Sequence, residues 1–238
     1  MVRKAQKEEW KIYGNVFDEF TLRTLFHMSG QGLFDGLKSP VAIGKESNVF
    51  TAEKGDELVI VKIYRLESCD FNRMWDYIGT DPRFEGVRNR RRQIIFSWTQ
   101  REYRNLLIAR EGGVKCPRPH QFENNVLVMD IVGGPAPRLI QATPEDPKAF
   151  FGLLIKECKK LYKSGICHGD LSEYNILNNN EEPWLIDFSH GTPLDCELGK
   201  RLFIRDCENL ARYFTKVWKK ITVEEIIKKI RGKQRIVS

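Results

Sequence analysis

His168-Gly169-Asp170-Leu171-Ser172-Glu173-Tyr174-Asn175 is the stretch whose reading decides the fold, taken with Ile186-Asp187-Phe188 a little further on. Phe150, Phe151, Leu154, Ile155, Cys158, Leu161 and Tyr162 recur at helical spacing before it, and the pattern stops near Gly165. Asp170 therefore falls on a loop directly after a long amphipathic helix. Ile176-Leu177 and Trp184-Leu185-Ile186 flank the polar Asn178–Glu182 turn and predict a short hairpin, which leaves Asp187 at a strand end. Taken singly, Asp170 is a loop or cap residue, Asn175 a turn residue and Asp187 a strand cap. Together they form an H-x-D-x-x-x-x-N and D-F spacing that can surround one nucleotide and its metal ions, the arrangement γ-phosphoryl transfer from ATP requires.

Each residue type suits a part in that chemistry. Asp170 is placed to orient and deprotonate an acceptor hydroxyl. Asn175 offers a neutral amide oxygen and Asp187 a carboxylate, both hard ligands for Mg²⁺, with Mn²⁺ an alternative. His168 reads as a structural residue that holds the loop. Further back, Lys62 lies inside Leu58-Val59-Ile60-Val61-Lys62-Ile63. A lysine among β-formers is costly to bury unless it is paired. It is either an edge-strand lysine or a phosphate-holding residue, and Glu102 on the following helix is its candidate partner. Val128-Met129-Asp130-Ile131 would form the hinge, with backbone groups of Met129 and Ile131 meeting the adenine edge. The covering turn, Ile43-Gly44-Lys45-Glu46-Ser47-Asn48-Val49-Phe50, has one glycine and matches neither a G-x-G-x-x-G loop nor a Walker motif.

Outward from these residues, Phe20, Leu22, Leu25, Phe26 and Met28 predict an N-terminal helix. Strands follow at Val41–Ile43, Asn48–Ala52 and Leu58–Tyr64, with a Lys54-Gly55-Asp56 turn. Residues 66–97 have weak periodicity and several glycines; they predict a long, partly mobile insertion with some helix near Phe71–Tyr77. Helix resumes from about Trp98 to Glu111, and Val126–Ile131 is a strand. Leu202, Cys207, Leu210 and Phe214 mark a further helix, and Thr222 with Glu225 a capping box for the last one. Strands first and helices afterwards predict an α+β, two-lobed fold with a cleft: a helical extension over 1–36, a small β-rich N-lobe over 37–131 containing the flexible insertion 66–97, and a mostly helical C-lobe over 132–238 with a basic tail. Helix resumes soon after Asp187, near Asp195, with no A-P-E motif. No long activation segment fits, and peptide docking in the usual kinase manner is not expected.

A chain of 238 residues with 41% hydrophobic and 11% aromatic content can bury a full core. No apolar run crosses a bilayer and no signal-peptide core opens the chain, so a soluble, cytoplasmic protein with no membrane partner is expected. The six cysteines show neither zinc nor disulfide spacing. The net charge of +7 is concentrated from Lys216 to Ser238, where eight Lys/Arg face two Glu, and a second cluster runs Arg88, Arg90, Arg91, Arg92. Such clusters are either solvated surface or contacts for phosphate-rich partners such as RNA.

At Gly44–Phe50, His168–Leu177, Ile186–Ser189 and Arg205-Asp206-Cys207-Glu208-Asn209, the chain resembles the RIO family of atypical serine protein kinases, in its first, archaeal-type branch. The resemblance spans roughly residues 18–218, and its most specific part is Ser172–Leu177. It implies a trimmed protein-kinase-like fold, ATP with Mg²⁺, serine autophosphorylation or slow ATPase turnover, and work on a pre-small-subunit ribosomal particle or its RNA. Carried over by position, Asp170 is the catalytic Asp and Asn175 and Asp187 bind metal. Asp187 would also accept phosphate transiently as an aspartyl-phosphate. Lys62 contacts phosphate, and Met129 and Ile131 line the adenine site. Residues 66–97 fall where the family carries phosphorylation sites, and Ser68 and Ser97 are available there. The chain departs from the family at Ser47, often Ala, and at His190, often Gln. A monomer is expected. Two other readings stand beside this one: a small-molecule kinase of the aminoglycoside or choline type, which also uses H-G-D, and an ATP-switched RNA-binding factor of the pre-ribosome.

Overall fold

Asp18 starts the first helix of the computed structural model, which describes residues 17–134 and 136–232. One carboxylate oxygen of Asp18 accepts from the Thr21 amide at 3.0 Å and the other from the Thr21 hydroxyl at 2.7 Å, capping α1 (Glu19–Gly30). The first residues of the expected N-terminal extension and the last of the basic tail lie outside the described residues. Contacts divide the chain into two units. One holds the described residues up to Gln100 with Pro119–Ile131; the other holds Arg101–Arg118 with the described residues from Val132 on.

The first unit is built on an antiparallel sheet ordered β1-β2-β3-β5-β4: β1 (Gly36–Ile43), β2 (Ser47–Lys54), β3 (Glu57–Tyr64), β4 (Pro119–Glu123) and β5 (Val126–Asp130). Val59, Val61 and Ile63 alternate along β3 and face one core with Phe50, Ala52, Val126 and Val128, onto which α1 lays Leu25 and Met28. The Asn125 side-chain amide donates to the Thr21 hydroxyl at 3.0 Å and to the Tyr64 carbonyl at 2.7 Å, tying α1 to the sheet. Gly55, at φ +59°, makes the β2–β3 turn. The β4 strand was not anticipated: Pro-His-Gln-Phe-Glu alternates too weakly to read as one.

The segment after β3 contains α2 (Phe71–Gly79) and a 3-10 turn at Pro82–Phe84, and α3 runs Arg91–Glu111, from the first unit into the second. It begins seven residues before the expected Trp98 because aromatic partners distant in sequence hold its first turns. Arg91 lies over the Phe71 ring and Arg92 over Phe20, each at 5.1 Å, while Phe96 stacks on Phe20 at 5.6 Å. Two of the clustered arginines thus pack on rings of their own unit.

The second unit is mostly helical: α4 (Pro147–Lys163), α5 (Glu197–Val217) and α6 (Val223–Arg231), with the hairpin β7 (Ile176–Asn179) and β8 (Glu182–Leu185) and the two-residue pair β6 (Ile166–Cys167) and β9 (Thr192–Pro193). Asp146 caps α4 ahead of Pro147, and both hydrogen bonds of the Thr222–Glu225 capping box form on α6. Phe151 meets Phe214 edge-on at 4.8 Å in the core. The cysteines are free; burial pushes the thiols of Cys69, Cys116 and Cys207 up to about 12, so they act as small core residues. Among the described residues no helix is long and apolar enough to cross a membrane.

Candidate active site

The second unit brings Asp170, Asn175 and Asp187 together. The Asn175 side-chain amide donates to the Asp170 carbonyl at 2.8 Å and to its carboxylate at 2.9 Å. Spending the amide nitrogen this way orients the Asn175 carbonyl oxygen as the remaining acceptor. The Ile186 amide donates to the backbone carbonyl of Asn175 at 3.0 Å, so Asp187 is the next residue along from a direct tie to Asn175. Asp187 has left-handed backbone, φ 62° and ψ 70°, a conformation non-glycine residues adopt only when their surroundings impose it. The Ser189 hydroxyl donates to one of its carboxylate oxygens at 2.9 Å.

Helix α5 clamps the loop that carries Asp170. The buried Asp206 carboxylate accepts from the amides of Gly169 and Leu171, both at 2.8 Å, and so grips the residue on each side of Asp170. Arg205 donates to the Gly169 carbonyl and Asn209 to the Leu171 carbonyl, the latter at 3.0 Å. Burial raises the Asp206 carboxyl to about 7, against the pull of its two amide donors and the Arg205 charge. His168, 1% exposed, donates from Nε2 to the Ile186 carbonyl at 2.9 Å and sets its ring 4.8 Å from Phe188.

Gly169 has a steric reason. Its φ is +77°, and a Cβ there would sit 2.3 Å from the His190 carbonyl oxygen. The glycine between His168 and Asp170 is therefore demanded by the close approach of the next turn, and its presence does not by itself select a small-molecule substrate.

Helix α3 secures that next turn. The fully buried Asn105 donates from its side chain to the Phe188 carbonyl at 2.8 Å and the Gly191 carbonyl at 2.9 Å. Arg101, equally buried, reaches the Gly191 carbonyl at 3.0 Å and the Thr192 hydroxyl at 2.8 Å. Neither was singled out from sequence. Their signal is faint: polar residues one helical turn apart on a face that later proves wholly buried.

Glu102, 1% exposed, is on the same helix within the second unit. Lys62, Met129 and Ile131 belong to the first unit. Lys62 faces away from the Val59–Ile63 core, opposite Val49 and Leu127, is 4% exposed and holds its ammonium 5.1 Å from the Tyr64 ring. Met129 pairs with Ile60 on β3, and Ile131 follows directly after β5. The Gly44–Ser47 turn is braced from behind: the Ser68 hydroxyl donates to the Lys45 carbonyl at 2.8 Å and the Arg65 amide to the Glu46 carbonyl at 2.9 Å.

A protein-family model described as the RIO domain matches residues 48–226. The RIO-type serine/threonine-protein kinase Rio1 of Methanocaldococcus jannaschii is 41% identical over 232 residues, covering 95% of this chain and 79% of the relative. Its counterpart in Haloferax volcanii is 35% identical over 217 residues, covering 90% and 75%. Among solved structures, the Rio2 kinase–ADP/Mg²⁺–phosphoaspartate complex from Chaetomium thermophilum aligns with a TM-score of 0.69 at 22% identity, over 90% of this chain and 66% of that one. At that identity the likeness speaks for the fold alone.

Proposed function

This chain belongs to the RIO family of protein kinases, and on that premise we infer that it is an ATP- and Mg²⁺-dependent serine kinase and ATPase acting on assembling small ribosomal subunits. The observation that carries the chemistry is the division of labour at Asn175. Its amide nitrogen holds Asp170, which frees its oxygen to pair with the Asp187 carboxylate as hard ligands. That donor set fits Mg²⁺, which takes its other ligands from phosphate and water and would supply charge neutralisation on the transferring phosphoryl group.

One Asp170 carboxylate oxygen is engaged by Asn175, and the other is the base for a serine hydroxyl. As the hydroxyl oxygen bonds to the γ-phosphorus, its proton passes to Asp170 and the bond to the β–γ bridging oxygen breaks, releasing ADP. Lys62 is the phosphate-holding cation, Glu102 its partner, and the backbone at Met129 and Ile131 receives adenine. The Chaetomium complex contains a phosphoaspartate; here Asp187 is the carboxylate for such a step. Its oxygen would take the phosphoryl group from ATP and water would later release phosphate, giving slow ATPase turnover.

With purified protein and Mg-ATP, Asp170→Ala and Asp187→Ala should each lower ADP production and self-labelling by roughly 10²-fold or more. Full turnover in both variants would sink this reading. Of the two serines available in residues 66–97, Ser97 is only 7% exposed and helical, whereas Ser68 is exposed. Phosphopeptide mapping after incubation with Mg-ATP should place label from this segment on Ser68; label on Ser97 would contradict the assignment.

A further inference from the structure

Away from the catalytic loop, the second unit has an open groove of about 660 Å³ between α4, α6 and the link from α5 to α6. Phe151 and Trp218 line its apolar part, their rings 5.6 Å apart. Around them stand four exposed lysines, Lys148, Lys219, Lys228 and Lys229. The lone acidic residue of the lining, Glu225, is already committed: its carboxylate accepts from the Thr222 amide at 3.1 Å in the capping box. Among the described residues no ion pair is formed by any of the four lysines. The groove therefore sets four lysine charges against the single carboxylate of Glu225, and one of them, the Lys219 ammonium, lies over the Trp218 indole at 4.6 Å.

We propose that this groove binds single-stranded RNA, the lysines meeting consecutive phosphates and a base taking the place of the Lys219 ammonium over the Trp218 indole. The charge excess calls for a polyanion. An aromatic ring among the cations favours a ligand with flat bases over a carboxylate-rich peptide. A lipid surface is a poor match, since the large exposed apolar side chains, among them Phe26, Ile43, Ile140 and Ile204, lie elsewhere. The inference rests on the ribonucleoprotein-partner part of the proposed function and assigns it a place. Phosphotransfer is a separate readout, so loss of one is distinguishable from loss of the other.

The experiment uses the full chain and a fluorescein-labelled 12-nucleotide oligouridine, followed by anisotropy between 50 and 200 mM salt. Four phosphate contacts on a single strand correspond to a log–log salt slope of about −3. Lys228→Glu combined with Lys229→Glu should weaken binding at least about tenfold at low salt and flatten the slope by about 1.4. The same charge change on α5, Lys200→Glu with Arg201→Glu, should alter it less than about twofold, and self-labelling with Mg-ATP should persist in both. If the first double variant is misfolded by its melting curve, Lys148→Gln with Lys219→Gln replaces it with the same direction expected. The proposal is overturned if the wild type shows no saturable binding at 50 mM salt, if groove variants bind as well as wild type, or if the α5 control loses as much. It is also overturned if polyglutamate displaces the RNA as effectively as unlabelled oligouridine at equal charge.

Discussion

Asp206 makes neither of the candidate metal contacts, yet the backbone on both sides of Asp170 depends on it. Its carboxylate satisfies two amides that would otherwise be buried without partners, each worth about 1–3 kcal/mol if left unmet. Burial sets its folded value at about 7, above the ordinary 3.8. The sign of the consequence follows. Between roughly pH 4 and 7 the folded chain holds a proton that the unfolded chain has released, so the unfolding free energy falls as pH rises through that window and is level above it. Asp206→Asn removes the titration. The melting temperature of wild type minus that of Asp206→Asn should therefore shrink between pH 5 and pH 8. A constant difference would mean that Asp206 is ionised throughout, the amide donors and Arg205 having overcome burial.

At the scale of elements, α3 and α5 hold the chain on either side of the β7–β8 hairpin: α5 the loop at Gly169–Leu171 before it, α3 the turn at Phe188–Thr192 after it. Asn105→Ala removes one of two donors from each of the Phe188 and Gly191 carbonyls, which keep the Gly191 amide and Arg101 respectively. It should cost about 1–3 kcal/mol, a melting shift of roughly 2–12 °C for a chain of this size. If the α3 clamp positions Asp187, turnover should fall by more than affinity for nucleotide does; equal losses in both would assign Asn105 to folding alone. These contacts also mark where sequence reading stops. The loop from His168 to Asn175 was legible because a few residue types at fixed spacing mark it, the helices α1, α4 and α5 because their apolar faces repeat, and α6 because Thr222 and Glu225 spell its capping box. The start of α3 was not, since Arg91 and Arg92 look solvent-facing until Phe71 and Phe20 are placed beneath them. Strands β6 and β9 have two residues each, too few for any period to show. Arg101 and Asn105 resembled ordinary helix-surface residues because their partners, backbone carbonyls and the Thr192 hydroxyl, lie 83 to 91 residues away.

On the scale of the whole molecule, the residues proposed for the nucleotide are shared out. Lys62, Met129 and Ile131 belong to one unit, and Asp170, Asn175, Asp187 and Glu102 to the other. The proposed function requires one ligand to draw on both sets, and ligand linkage makes that measurable. A nucleotide at 100 times its dissociation constant stabilises the folded chain by about 2.7 kcal/mol. For a chain of this length that corresponds to a rise in melting temperature of roughly 5–10 °C. Mg-ADP should produce such a rise in the wild type. Lys62→Met, which alters the first unit only, and Asp187→Asn, which alters the second only, should each abolish most of it, the rise being read against each variant's own nucleotide-free melt. Lys62→Met leaves the buried Glu102 carboxylate without the cation proposed as its partner, so its nucleotide-free melt should lie below that of wild type. A rise lost in Asp187→Asn but intact in Lys62→Met would confine nucleotide binding to the helical unit and remove Lys62 from the site. The converse result would leave Asp187 with the chemistry but not with the binding.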